Sequence, residues 1–558
     1  MNGNRRRYWM AGTVLAAVAA ATATIGCNRS ERAGDATMSA FAEPDARVGA
    51  VAKQRPADGM GPGRAGDRFD KIDENRFLLA AATPLSTFSI DVDTASYSKV
   101  RQFLLDAGRL PPEDAVRIEE MINYFSYAYA EPSDGRPFTV HVEVSQAPWR
   151  PAHELVRIGL KGKSIPRASR PPINLVFLVD VSGSMQAWNK LPLLKRTLRL
   201  LVGQLDERDS VAMVVYAGAA GVVLPPTHGD DHAAILEALN RLRAGGSTNG
   251  GEGIELAYRL AAERAEEGGV NRVILCTDGD FNVGTTSTGA LVRLVEQRAE
   301  AGIGLTVLGF GMGNLNDGLL EQISNKGDGN YAFIDSAEEA RKVLVDQMLG
   351  TLVTIAKDVK IQVEFNPSIV KAYRLIGYEN RLLATEDFND DTKDAGEIGA
   401  GHTVTALYEV VRVGADTDVK LPSVDPLKYG NGTPATGEDQ ADSSGASDLP
   451  EESQEWFTVK IRYKRPGESN SERMEVAWTG PPDAWEEASI DQRFAASVAA
   501  FGMLLRRSDY AGGATFDMVR KAAGGALGRD AKGHRREFVS LVEQAKVLAG
   551  AITVEPGE

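Results

Sequence analysis

The sequence predicts an α/β protein in which a doubly wound parallel sheet is inserted into a β-sandwich-like region, with helical segments flanking it. Three observations predict this. Between Ile173 and about Thr354, four apolar runs (Ile173 to Val179, Val211 to Tyr216, Val273 to Cys276 and Ile303 to Phe310) alternate with long amphipathic stretches, the pattern of parallel strands covered on both faces by helices. On either side of this region the period changes to two. Phe138, Val140, Val142 and Val144 alternate with polar residues, as do Val359, Ile361, Val363 and Phe365, and then Phe457, Val459, Ile461 and Tyr463. That is the signature of half-buried strands. Neither flank alone offers many strands, so the economical reading closes one sandwich from both sides of the insert. At 558 residues, 43% of them hydrophobic and 25% charged, the chain is water-soluble, globular and too long for a single core.

Taken in chain order, Arg5, Arg6 and Arg7 precede an apolar, Ala-rich stretch from Met10 to about Ile25 that ends in Gly26-Cys27. A basic start, a short apolar run and a small residue before a polar segment define an export signal rather than a membrane span. Residues 1–26 are therefore expected to be a signal peptide. Residues 27–72, rich in Ala, Gly, Pro, Arg and Asp, bury too little apolar surface to order themselves and are expected to form a tether. An N-terminal α+β region is expected over 73–170, with Ile118, Met121, Ile122 and Phe125 on one helical face. The α/β domain follows over 171–354, where one helix carries Leu194, Leu198, Leu201, Val202 and Leu205 on a single face. A β-rich region over 355–480 is interrupted by a disordered loop at about 430–455. A helical region over 481–558 presents Phe494, Val498, Phe501 and Leu505, then Phe538, Leu541, Val542, Ala545 and Leu548.

The formal net charge is −15, and loss of a signal carrying three Arg and no acid leaves −18. Nucleic acid is therefore excluded as a partner, and an anionic membrane surface would repel the body. Cys27 and Cys276 are the only cysteines. Cys276 lies in an apolar run and reads as an inert core thiol.

The residues with chemistry in them begin at Asp180-Val181-Ser182-Gly183-Ser184, directly after an apolar run and before a helix. Open α/β sheets place ligand sites at the carboxyl ends of their strands. A carboxylate and two hydroxyls there suit a hard cation and not zinc, which favours His and Cys. Gly245-Gly246-Ser247-Thr248-Asn249 and Thr277-Asp278-Gly279 fall at the same edge by topology. The bland alternative is helix capping, since Asp and Ser at a helix start satisfy free N–H groups. For Asp91, Asp93, Ser96 and Ser98, by contrast, capping is the favoured reading and a second cation site the alternative.

The three loops together resemble the metal-ion-dependent adhesion site of von Willebrand factor type A domains, in which a DxSxS motif, a Thr and an Asp come from separate loops. The resemblance covers about a third of the chain. It implies that Ser182 and Ser184 coordinate a divalent cation directly, Thr248 directly or through water, and Asp180 and Asp278 largely through water. Mg²⁺ is the expected ion, with Mn²⁺ or Ca²⁺ as alternatives. One open position would accept an acidic side chain of a protein partner. Asp278 to Gly284, the segment Phe88 to Ser98 and the β region after Pro367 resemble the bacterial YfbK-like group of these proteins. Thr24-Ile25-Gly26-Cys27 likewise resembles the bacterial lipobox, implying cleavage before Cys27 and lipid on its sulfur. Thr24 departs from the usual aliphatic residue, so a soluble secretory signal is the alternative. Asn28 implies the outer membrane if the host has one, with the body periplasmic or surface-exposed. No GxxxxGK[ST], HExxH or GxSxG pattern occurs, and Asn314 stands where a dinucleotide loop after Gly309 requires glycine. The expected function is metal-dependent protein binding at the cell envelope, not catalysis. A scaffold with a cation staple, or a metal-assisted enzyme, is the alternative.

Overall fold

Strand Ile173–Asp180 is buried along its whole length because it lies in the middle of the α/β sheet of this computed structural model, which describes residues 66–246, 250–279, 287–313, 315–422 and 454–552. The six strands run in the order Tyr331–Ile334, Gly304–Phe310, Val270–Thr277, Ile173–Asp180, Ser210–Tyr216 and Ala220–His228. All adjacent pairs are parallel except the last, which is an antiparallel hairpin at the edge. Alternate side chains feed two cores. Leu175, Phe177 and Val179 meet the helices Leu191–Val202 and His232–Arg241, whereas Val176 and Leu178 meet Gly251–Glu263, with Thr288–Glu300 and Asp317–Asn325 extending that face.

The β region is a sandwich of two sheets. In one, Phe138–Ala147, Arg150–Gly162, Thr403–Arg412, Val370–Ile376 and Leu78–Leu79 pair antiparallel in that order. In the other, the long strand Thr354–Phe365 has Phe457–Lys464 along one edge, with Gly396–Gly399 and Leu85–Ser89 sharing its opposite edge, and Ser471–Trp478 closes the sheet. Phe138, Val144 and Ile158 of the first sheet share one core with Ile361, Val363, Val459 and Ile461 of the second. The Phe365 and Tyr373 rings stack across the gap at 4.1 Å. Strands from before and after the α/β insert thus bury one another's apolar faces, as their period-two pattern predicts.

The helical layer draws on both ends of the chain. Phe494, Val498, Phe501 and Leu505 of helix Ile490–Arg506 pack with Phe538, Leu541 and Val542 of His534–Ile552, but also with Ile118, Met121 and Ile122 of Ile118–Asn123 and with Tyr97 and Val100 of Ala95–Leu105. The expected C-terminal bundle is therefore completed by N-terminal helices. The expected signal peptide and most of the tether lie outside the described residues, as does most of the loop expected at 430–455. The last part of the tether, however, is fixed. Asp67 Oδ1 accepts the amides of Gly313 (2.7 Å) and Leu315 (3.1 Å), and its Oδ2 meets Lys99 Nζ at 2.7 Å. These bonds supply the ordering that apolar content in this segment cannot.

His402 lies where helix Met348–Leu352 meets the sandwich, and its ring fills the space a Cβ on Gly350 would overlap. Burial, reinforced by the charges of Lys342 and Lys161, pushes its imidazole down to about 4. The folded chain holds this ring neutral while the unfolded chain protonates it near the ordinary value of about 6.5. Its contribution to stability is therefore complete above that pH and is lost as pH falls towards 4. Urea unfolding at pH 7.5 and pH 4.5 should show a loss of stability in wild type that is smaller in His402→Gln.

Candidate metal centre

Parallel register sets the level of the site. Asp180 pairs with Tyr216, and Val179 with Cys276, so Asp180 lies level with Tyr216 and Thr277 at the carboxyl edge of the sheet. Three loops meet at this edge, and backbone bonds stitch the DxSxS loop to strand Ser210–Tyr216 and to the Gly245-Gly246 loop. Val181 N donates to Tyr216 O (3.0 Å), Gly245 N to Val181 O (2.7 Å) and Gly183 N to Gly246 O (3.1 Å). The DxSxS loop therefore touches the loop that leads to Thr248. Thr248 itself lies outside the described residues. Asp278 follows Thr277, whose Oγ1 accepts Gly279 N at 3.1 Å. Gly279 has φ +97°, and a Cβ there would overlap Leu315 Cα, so this turn requires glycine.

The hydroxyls of the motif do not cap. Ser182 precedes the short 3-10 turn Gly183–Gln186 without a side-chain cap bond, and Lys190 does the same before Leu191–Val202. Instead Ser182 Oγ and Ser184 Oγ lie 2.9 Å apart. Asp180 Oδ1 accepts Ser182 N at 2.8 Å, while its Oδ2 is buried without a hydrogen bond of good geometry, although the Tyr216 hydroxyl is near enough to pull on the carboxyl. Burial pushes the Asp180 carboxyl up to about 6, against the pull of the Ser182 bonds and with a further push from Asp278. A buried carboxylate oxygen without a well-placed donor and two adjoining hydroxyls fit a hard, oxygen-seeking cation. Ser184 is exposed whereas Asp180, Ser182 and Asp278 are buried, so the set opens to solvent on the Ser184 side.

One participant had no signal in the sequence. Lys190 is buried, and its Nζ lies 2.8 Å from Asp278 Oδ2. Its alkyl chain occupies the space beside Gly311, where φ is +80° and a Cβ would overlap it. The Gly309-Phe310-Gly311 stretch thus serves as the strand end and a seat for this lysine. The pair neutralises Asp278 within the protein, leaving Asp180 as the buried carboxylate of the set with an oxygen lacking a well-placed donor. Cys276 is wholly buried, which pushes its thiol well above the ordinary range, as an inert core residue requires. The stretch His228-Gly229-Asp230-Asp231-His232 also offers metal-ligand side chains, but it forms a helix start, with Asp231 accepting Ala234 N at 3.1 Å.

Strand order, loop placement and the DxSxS geometry define a von Willebrand factor type A domain, and the family model for that domain matches residues 174–347. Models described as "von Willebrand factor" and "Uncharacterized protein YfbK, C-terminal" match residues 64–157 and 350–548. Uncharacterized protein YfbK of Escherichia coli (strain K12) is 41% identical over 502 residues, covering 89% of this chain and 83% of that protein. The chain belongs to the YfbK family. Human inter-alpha-trypsin inhibitor heavy chain H4 is 30% identical over 25% of this chain and 16% of its own length. Among solved structures, a von Willebrand factor type A protein from Catenulispora acidiphila is 16% identical with a TM-score of 0.38, covering 77% of this chain and 91% of that one. Proximal thread matrix protein 1 of the mussel byssus, with a zinc-occupied MIDAS motif, is 24% identical with a TM-score of 0.27 over 32% and 45% of the two chains.

Removing Lys190 should expose what it neutralises. Lys190→Met is expected to lower metal-free stability by an amount on the order of the 3–5 kcal/mol typical of breaking a buried ion pair. Calorimetric melting with and without Mg²⁺ checks this, and the Mg²⁺-induced rise in Tm should be larger in the variant than in wild type.

Proposed function

We propose that this chain is a metal-ion-dependent protein-binding module of the bacterial cell envelope, held there by lipid on Cys27. The observation that carries the reading is the convergence, at one sheet edge, of the buried Asp180 oxygen, the paired Ser182 and Ser184 hydroxyls and the Asp278 loop. A divalent cation held there would supply a positive centre for a carboxylate of the partner. The chain's own residues do the rest. Ser182 and Ser184 present neutral oxygens, which leave a cation's charge largely uncancelled, while Asp180 is oriented by the Ser182 amide. Lys190 takes up one of the two nearby carboxylates, so the set is less negative than its residue types suggest.

The surroundings favour a partner over a simple loop staple. Trp188, four residues beyond Ser184 in the chain, is 70% exposed, and exposed tryptophans are typical anchors of protein interfaces. Among the described residues no nucleophile and base pair accompanies the oxygen set, which favours binding over catalysis. The acidic body would add nothing to membrane attraction, so retention at the envelope rests on the lipid.

Affinity capture from native envelopes, with and without EDTA, tests the function. A partner retained by wild type with Mg²⁺ should be lost with EDTA and by Asp180→Ala, and a capture indifferent to both would refute metal-dependent binding. Ser184→Ala should weaken Mg²⁺ binding roughly 10- to 100-fold with little change in Tm, as calorimetry will read. Trp188→Ala should keep wild-type Mg²⁺ affinity yet lose the partner. Intact-mass analysis of the exported chain should find Cys27 as the acylated first residue; an unacylated product cut elsewhere would remove the lipid anchor from this account.

A further inference from the structure

A second group of oxygens lies away from the sheet edge, where the N-terminal helices meet both the α/β domain and the sandwich. Asp91 and Asp93 precede helix Ala95–Leu105, yet neither caps it. Its N-cap is Thr94, without a side-chain cap bond, and the Ser96 amide is taken by Glu120 Oε2 at 2.8 Å. Asp91 Oδ1 accepts Asp93 N (2.9 Å), and Asp93 Oδ1 accepts Tyr331 N (2.7 Å). These bonds turn both carboxylates inward, towards Glu120 of helix Ile118–Asn123 and Glu321 of helix Asp317–Asn325. All four residues are buried, none more than 5% exposed. One carboxylate oxygen each of Asp91, Glu120 and Glu321 lies within 4.8 Å of the others, a spacing that one cation with bonds of roughly 2.3–2.6 Å can span.

The charges in this group do not balance. Arg381 Nη2 is 3.2 Å from Asp91 Oδ1, 3.2 Å from Asp93 Oδ2 and 3.8 Å from Glu321 Oε1. Arg117 reaches Glu321 Oε2 at 2.7 Å and Glu120 Oε1 at 3.4 Å. Two guanidiniums face four carboxylates, and Asp317, 3.7 Å from Arg117, adds another acid rather than a counter-charge. With every carboxyl ionised, the four carboxylates alone would exceed the two guanidiniums by two negative charges, which is costly in a buried site without compensation. Independently of that tally, Asp91 Oδ2 is buried and accepts no hydrogen bond. The other acidic group of similar spacing, Asp328, Asp394 and Glu397, is more open, and Lys357 and Lys326 pair with two of its members.

We propose that Asp91, Glu120 and Glu321 bind a divalent cation, Ca²⁺ by their chemistry, which pins the N-terminal helices to the α/β domain beside the sandwich residue Arg381. An all-carboxylate set contributed by three separate elements suits Ca²⁺, which tolerates irregular oxygen geometry, better than Mg²⁺, which demands a near-ideal octahedron. This site is separate from the one at Asp180, and neither depends on the other.

The test uses the full chain carrying Asp180→Ala, stripped of metal and titrated with Ca²⁺ at pH 7.5 by calorimetry. One equivalent should bind and raise Tm. Adding Asp91→Asn, which keeps an acceptor for the Asp93 amide, should weaken that binding roughly 10- to 100-fold and remove the Tm rise. Glu321→Gln provides the same reading should Asp91→Asn fail to fold. Absence of Ca²⁺ binding to Asp180→Ala would overturn the proposal, with protons as the balancing charges. Binding that both added substitutions leave unchanged would overturn it equally.

Discussion

The parallel register of strand Ile173–Asp180 is the constraint on which the rest of this molecule depends. Because Asp180, Tyr216 and Thr277 end at one level, the loops that leave them start side by side. Short backbone bonds from Val181, Gly183 and Gly245 then tie the DxSxS loop to its neighbours, and Lys190 holds Asp278. A slip of one residue in this strand would turn Asp180 to the other face of the sheet and exchange the two cores on either side of it. The strand is buried from end to end and apolar at nearly every position, which is what makes its register costly to change.

Charged residues add to the apolar cores that join the modules. Arg101 of helix Ala95–Leu105 reaches Asp335 (2.6 Å) and Glu339 (2.8 Å) of the α/β domain and Glu537 (3.2 Å) of the last helix. Arg157 of the sandwich contacts Glu143, Gln492 and Tyr129, which ties the first sheet to helix Ile490–Arg506. Glu409 is wholly buried and gathers His153 at 2.6 Å, with Arg150 and Arg374 at 3.4 and 3.3 Å. Such networks contribute less net stability than their short distances suggest, because each ion has given up its water. What they supply is orientation between modules that could otherwise pack in several ways.

How far the sequence discloses this structure follows from the range of each interaction. The α/β strands and the sandwich strands were legible because burial on two faces or on one writes a period into neighbouring residues. The DxSxS loop was legible because its residues are consecutive. Lys190 was not, since its partner Asp278 is 88 residues away and nothing near the lysine marks it as buried. Asp91 and Asp93 read as helix caps, a local role for which their position is right, but their partners Tyr331 and Arg381 come from two distant segments. The joining of the N-terminal helices to the last ones was illegible for the same reason: an amphipathic face states that it is buried and is silent about what covers it. Thr248 lies outside the described residues.

The insertion of the α/β domain has a consequence for the unfolded chain. Its entry follows strand Arg150–Gly162 in one sheet, and its exit becomes strand Thr354–Phe365 in the other. While the sandwich is folded, the intervening chain is a closed loop whether or not the insert itself is folded. Cys276 is the sole cysteine among the described residues and is unpaired, so covalent cross-links play no part here. The sandwich does the work of one instead. In the chain-entropy picture, closing a loop of this length withdraws roughly 5 kcal/mol of disorder from the melted insert. The α/β domain is thus stabilised by topology, through strands that lie outside it.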